Sequence, residues 1–282
     1  MRLGQLRFQR TVSGRFSRLD WFVHFLALLF SAVCSDALSA EQPALLRVLS
    51  YNIHHGEGVD GKLDLERIAR VILSVEPDLV ALQEVDCNTK RTEFVDQPAE
   101  LARLTNMAVI FGDNIPYQGG RYGNAVLSRF PVIGSENHPL QSFYDGEQRG
   151  VLEVEVELPN NLPSLLLFAT HLDYRANSPE RIVSARQINA LIASRGGRPA
   201  LLVGDLNADP WSCAMREFSK QWKRSNRRVL PTYPADMPCK QIDYVMFHPA
   251  NRWRVIETRV LRETIASDHR PILAVLGMCP ND

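Results

Sequence analysis

Six short segments of this sequence end an apolar run in a side chain that can meet a metal ion or a phosphate. They are Ser50-Tyr51-Asn52, Leu82-Gln83-Glu84-Val85, Ala169-Thr170-His171-Leu172-Asp173, Gly204-Asp205-Leu206-Asn207, Gln241-Ile242-Asp243-Tyr244 and Ser267-Asp268-His269-Arg270-Pro271. One such residue alone reads as solvated loop. Six of them, with only Asn, Glu, His and Asp at the key positions, are hard to make by chance and read as one set. A phosphodiester repels hydroxide, so its cleavage needs a hard cation or donors on the non-bridging oxygens, and a base for water. Glu84, a lone carboxylate at a strand end, suits Mg²⁺ (Mn²⁺ as the alternative), which takes one or two carboxylates and keeps several waters. Asn52 can coordinate or orient without adding charge. Asp268 can reach the metal through water or hold the neighbouring loop. His269 suits a general base if Asp243 fixes its tautomer and stabilises the imidazolium. Asp205 and Asn207, two apart on a turn, can share a cleft, Asp205 positioning or deprotonating water and Asn207 donating to a phosphate oxygen. His171 can donate to the phosphate or protonate the leaving oxygen.

The elements that must position these residues follow from the apolar pattern. Residues 46–52 and 79–82 read as strands. Leu65, Ile68, Ala69 and Ile72 fall at helical spacing, so 64–75 is an amphipathic helix, with Asp64 as N-cap and Pro77 as stop. Helices are expected at 98–106 and 179–195, the second opened by Pro179 and closed by Gly196-Gly197. Strands are expected near 107–111, 123–128, 150–158, 164–171, 199–203, 241–248, 253–261 and 271–276. Consecutive strands without intervening helices exclude a purely parallel doubly wound sheet. The reading is α/β: two packed mixed β-sheets flanked by α-helices.

With the six motifs in this order, the sequence resembles the endonuclease/exonuclease/phosphatase superfamily over about residues 45–277. That superfamily includes pancreatic-type deoxyribonucleases, abasic-site endonucleases, neutral sphingomyelinases and inositol polyphosphate phosphatases. Gly204-Asp205-Leu206-Asn207 and Ser267-Asp268-His269 are the most specific pieces. The resemblance implies a four-layer α/β sandwich with the site at one end of both sheets. It also implies divalent-metal-dependent phosphoester hydrolysis, and metal roles for Asn52 and Glu84. It leaves open whether Asp205 or His269 takes the proton. His171 matches a histidine of the deoxyribonuclease and sphingomyelinase branches. Ser128-Arg129-Phe130-Pro131, after a strand that begins Gly123-Asn124-Ala125, resembles a family pattern near the phosphate. Asn124, Arg129 and Arg149 are therefore expected to bind substrate, a planar guanidinium suiting bidentate phosphate contact. The abasic-site branch carries a carboxylate two residues after the first Asn. Here His54 stands there, followed by His55, which counts against that branch.

The chain has 282 residues, with 32 Lys+Arg against 32 Asp+Glu. Residues 1–40 hold five of the Arg and only Asp20 and Asp36, around an apolar run from Trp21 to Cys34. A basic start, a short apolar stretch and small residues near 37–40 describe a secretory signal peptide. The run is too short to span a bilayer comfortably, although a retained segment would anchor the chain. Residues 41–282 are then a catalytic domain, secreted or periplasmic, with 27 basic and 30 acidic side chains. A slightly acidic surface does not hold duplex DNA by its overall field. The basic run Lys220, Lys223, Arg224, Arg227 and Arg228 can track a polyanion or an anionic membrane, or be a solvated face. Four cysteines remain in an exported chain, and Cys213 with Cys239 is the pair expected to join. The segments 118–122 and 173–178 are expected as substrate loops and 88–96 as a third rim.

The favoured reading is an exported phosphoesterase acting on a lipid head group or a small phosphoester. A secreted nuclease with the same core is the alternative, and a non-catalytic binding protein is a third. No protein partner is expected.

Overall fold

The computed structural model describes residues 44–279, apart from 145, 161, 177 and 178. The expected signal peptide at 1–40 lies outside the described residues. The chain runs β1 (Ala44–Asn52), α1 (Leu65–Leu73), β2 (Leu79–Cys87), α2 (Gln97–Thr105), β3 (Ala108–Tyr117), β4 (Gly120–Ser128), β5 (Val132–Pro139), β6 (Gly150–Val156), β7 (Leu165–His171), α3 (Glu180–Ala193), β8 (Ala200–Asp205), α4 (Cys213–Phe218), β9 (Lys223–Arg224), β10 (Asp243–His248), β11 (Trp253–Val260) and β12 (Ile272–Met278). Two six-stranded mixed sheets form, in the orders β11-β12-β1-β2-β4-β3 and β5-β6-β7-β8-β10-β9. Among the described residues no helix is long and apolar enough to cross a membrane.

The central strands are continuous apolar runs because both of their faces are buried. Val48, Leu79, Ala81, Leu167, Ala169, Leu201 and Val203 meet in the core between the sheets. Their neighbours one residue along point the other way. Leu49, Val80 and Leu82 pack with Ile68, Ala69 and Ile72 of α1 and Leu101 of α2. Leu166, Phe168 and Leu202 pack with Ala185, Ile188 and Ile192 of α3 and Ala214, Met215 and Phe218 of α4. This period-two division produces four layers: helices, sheet, sheet, helices. Each fully buried Ile or Leu on these helix faces contributes on the order of 1.5–3 kcal/mol. Asp64 caps α1 by accepting from the Arg67 backbone N–H at 2.8 Å, as its position predicts.

Strand direction decides which loops meet. β1 runs parallel to β2, and β7 parallel to β8, with His171 opposite Asp205. β10 is antiparallel to β8, so Asp243, at its start, also lies opposite Asp205. β12 is antiparallel to β1, with Ile272 opposite Ser50. The C-terminal ends of β1, β2, β7 and β8 therefore share one end of the sandwich with the starts of β10 and β12.

The expected disulfide does not form. Among the described residues Cys87, Cys213, Cys239 and Cys279 are all free. Cys213 opens α4, where its Sγ contacts Arg216, and Cys239 lies in a separate turn, its backbone N–H donating to Tyr233 O at 2.9 Å.

Candidate active site

A cavity of about 710 Å³ opens at this shared end, with Glu84, Arg149, His171, Asp205, Asn207, Asp268 and His269 in its wall. Asn52 lies fully buried beneath it. The Asn52 side chain joins the two sheets: its Nδ2 donates to Glu84 Oε1 at 2.9 Å and to Asp205 Oδ2 at 3.3 Å. The backbone N–H of His54 donates to Asn52 Oδ1 at 3.0 Å, which fixes the amide orientation. Asn52 thus turns its nitrogen, not its oxygen, toward both carboxylates. In this arrangement it orients both of them.

Glu84 reaches the cavity because β2 is irregular there. The β2–β4 register shifts between Leu82 and Val85, and Glu84 has a φ of 58°. A bulge of this kind turns a side chain out of the pleat.

Asp205 is buried at the end of β8. Its Oδ1 accepts from the Asn207 N–H at 2.9 Å, and Oδ2 lies 3.7 Å from His269 Nε2. His269 Nδ1 meets Asp243 Oδ2 at 3.0 Å. Burial opposes charge on His269, but the Asp243 carboxylate, through its charge and this hydrogen bond, and then Asp205, push its pKa up to about 10. Burial, followed by repulsion from Asp243, raises Asp205 to about 7. Ser267 secures the segment: its hydroxyl donates to Asn52 O at 2.8 Å and accepts from the His269 N–H at 3.2 Å.

Asn207 Nδ2 donates to Leu172 O at 3.0 Å and lies 3.0 Å from His171 Nε2. The same Nε2 lies 3.5 Å from Asp205 Oδ2, so Asn207 and Asp205 both face this one ring nitrogen. Burial, then the positive charges of Arg149 and His269, hold the His171 pKa well below its ordinary value.

Arg149 is buried in the wall, 2.6 Å from Glu147 Oε1 and 5.9 Å from the centre of the Tyr174 ring. Asn124 is buried and its Nδ2 donates to Gly150 O at 3.3 Å, so it supports the site end of the sheets rather than facing the cavity. Arg129 is a correction. β4 is antiparallel to β2 with Ser128 opposite Leu79, which places exposed Arg129 at the end of the sheet away from Glu84.

Of the expected loops, Tyr122 from 118–122 and Tyr174, Arg175 and Ala176 from 173–178 line the cavity. Residues 88–96 do not. Instead Arg91, bound through two nitrogens by Asp86, stacks on Tyr117 and Tyr122 and props the wall from behind. Sequence reasoning missed Tyr233, whose ring centre lies 4.8 Å from that of His269. It comes from the irregular stretch before β10, where no periodic signal marks it. Glu147, raised by burial, was missed although it sits two residues before Arg149.

A family model described as endonuclease/exonuclease/phosphatase family matches residues 49–269, most of the chain and every wall residue named above. The chain belongs to this family. Family members are hydrolases of phosphoesters, phosphatases or nucleases, and are typically dependent on a divalent metal. YbhP of Escherichia coli (strain K12) is 27% identical over 249 residues, which is 82% of this chain and 96% of that protein. A family structure from Beutenbergia cavernae aligns with a TM-score of 0.69 and 28% identity over 83% of this chain and 72% of that one. A mannosyl-6-phosphatase from Bacteroides thetaiotaomicron shares the fold, with a TM-score of 0.68 and 18% identity over 82% of this chain and 99% of that one.

Proposed function

We propose that this family member is an exported, divalent-metal-dependent phosphoesterase acting on a small phosphoester or a lipid head group. One observation carries the reading: Asp205, His269 and Asp243 form a buried acid–base line in the wall of a cavity of small-molecule size, beside an outward-turned Glu84. Export rests on the signal-like residues 1–40.

The donor set fits a hard divalent ion. Glu84 has one oxygen steadied by Asn52, and the Asp268 carboxylate faces the same cavity. An ion held there would neutralise charge on a non-bridging phosphate oxygen. The remaining roles belong to the chain. Asp205, raised toward neutrality, takes the proton of the attacking water as the new P–O bond forms and the bond to the leaving oxygen breaks. His269, kept cationic by Asp243, donates to charge developing on the phosphoryl group. Asn207 Nδ2 faces Leu172 O and His171 Nε2, and it donates to a phosphate oxygen once substrate displaces the His171 contact. We assign the proton to Asp205 because a protonated His269 has no free Nε2 lone pair. His171, held neutral by burial, positions Asn207 through Nε2.

A panel of sphingomyelin, phosphoinositide, sugar phosphates, DNA and RNA, each assayed over a range of salt, tests the substrate class. We expect turnover of a small or lipid phosphoester with weak salt dependence. Cleavage of DNA or RNA alone, with affinity falling steeply as salt rises, would replace this reading with the nuclease.

A further inference from the structure

A second group of ligand-capable atoms adjoins Glu84. One such atom from each of His54, His55 and Glu84 lies within 4.8 Å of the others. The two imidazoles meet edge to face, ring centres 4.5 Å apart. Asp60, Asp64 and the acid-base line take no part in this group.

Both histidines are held by one residue, Glu57. His54 Nδ1 lies 3.1 Å from the Glu57 carbonyl oxygen, and His55 Nε2 lies 3.4 Å from the Glu57 carboxylate. The first is a hydrogen bond and the second a looser approach to the carboxylate, and together they turn His54 Nε2 and His55 Nδ1 away from Glu57. His55 is 8% exposed, and its buried Nδ1 has no hydrogen-bond partner. A buried ring nitrogen without a partner carries a desolvation cost of about 1–3 kcal/mol unless something binds it. Metal-binding histidines are commonly built this way, with one nitrogen anchored on a carbonyl or carboxylate and the other directed at the ion.

The rest of the loop is fixed around them. Asn52 Oδ1 accepts the His54 N–H, and Gln97 Nε2 donates to His55 O at 2.6 Å. His54 and His55 both have φ near +45°, an uncommon conformation for a side-chain-bearing residue. Arg91, whose charge acts against a cation at His55, is neutralised by Asp86 at 2.6 and 2.8 Å.

We propose that His54 Nε2, His55 Nδ1 and Glu84 form a nitrogen-rich site for a transition-metal divalent cation, sharing Glu84 with the oxygen site of the phosphoesterase. Two imidazoles and one carboxylate favour Mn²⁺, Co²⁺ or Zn²⁺ over Mg²⁺, which prefers oxygen and water. The proposal rests on the phosphoesterase reading only for the shared role of Glu84. Its test reads metal binding without turnover, so the two can fail separately.

The metal-stripped protein is titrated with Co²⁺, reading the visible d–d spectrum, and with Mg²⁺ by calorimetry. His54→Gln, His55→Gln and Glu57→Gln are compared with wild type, with far-UV circular dichroism and Tm reported for each. We expect Co²⁺ affinity to fall about 10- to 100-fold in Glu57→Gln and further in each histidine variant, with the Co²⁺ spectrum changed and Mg²⁺ binding kept. Unchanged Co²⁺ affinity and spectrum in folded His54→Gln and His55→Gln would overturn the site. Equal loss of Co²⁺ and Mg²⁺ would also overturn it, making the histidines packing around Glu84.

Discussion

Asp243→Asn removes the charge that keeps His269 protonated while preserving the shape of the side chain. Asp243 Oδ2 lies 3.0 Å from His269 Nδ1, and Asp205 Oδ2 lies 3.7 Å from Nε2. Burial works against the imidazolium, and these carboxylates lift its pKa from 6.5 to about 10. At 1.36 kcal/mol per pKa unit, that rise corresponds to roughly 5 kcal/mol in favour of the charged ring. Without the Asp243 charge, burial prevails and His269 is neutral at ordinary pH. The new amide can also offer its NH₂ to Nδ1 and select the wrong tautomer. Wild-type activity should rise with pH through about 7, as Asp205 loses its proton, and fall through about 10, as His269 loses its own. In Asp243→Asn the alkaline limb should move below about pH 7 and kcat should drop roughly 10²- to 10⁴-fold. The acid limb should move to lower pH, because Asp243 no longer repels charge on Asp205. The assay is the pH–rate profile on bis-p-nitrophenyl phosphate with saturating Mg²⁺, on a variant whose circular dichroism matches wild type. An alkaline limb that stays near pH 10 with kcat almost unchanged would refute the role given to His269.

Other changes test the scaffold and the wall. A Cβ at Gly204 would collide with the carbonyl of Thr170, where β7 and β8 carry His171 and Asp205. Gly204→Ala should therefore cost roughly 3 kcal/mol, read as a drop of about 10 °C in Tm. Ser267→Ala leaves Asn52 O and the His269 N–H without their shared partner. It should cost about 1–3 kcal/mol of stability and lower kcat by about 10-fold or more through misplacement of His269, with KM little changed. Arg149→Ala removes a buried guanidinium from the wall, and steady-state kinetics should show KM raised by about 10-fold or more.

Helices α1, α2 and α3 and the buried strands are legible because their signals are local, whereas the six-residue α4 is too short to show a periodic face. Ile68, Ala69 and Ile72 mark the core face of α1, Asp64 its cap, and the unbroken apolar runs of β7 and β8 their burial on both faces. β5 carried no such signal. Val132–Pro139 is an edge strand with only partial burial, so its polar residues never alternate cleanly with apolar ones. The apolar run of β2 ends at Leu82, where Gln83 and Glu84 break it, whereas the bulge lets pairing resume to Cys87. The polar residues at the ends of β1, β2, β7 and β8 and the starts of β10 and β12 could be named from sequence because each interrupts an apolar run. Their convergence follows from the family resemblance and not from any local pattern, since it depends on strand direction. The same dependence explains Arg129, which follows a site strand but at its far end. The pairing of Cys213 with Cys239 failed for a related reason: loop-rich sequence does not say which loops meet. Tyr233 depends wholly on tertiary folding, for nothing local ties it to His269.

The central claim is tested most directly by the rate of bis-p-nitrophenyl phosphate hydrolysis by the purified chain, first in excess EDTA and then after adding Mg²⁺ or Mn²⁺, with Asp205→Asn in parallel. The account predicts that chelation abolishes turnover, that either ion restores it, and that folded Asp205→Asn stays inactive throughout. Undiminished turnover in EDTA, or the full rate in Asp205→Asn, would contradict it.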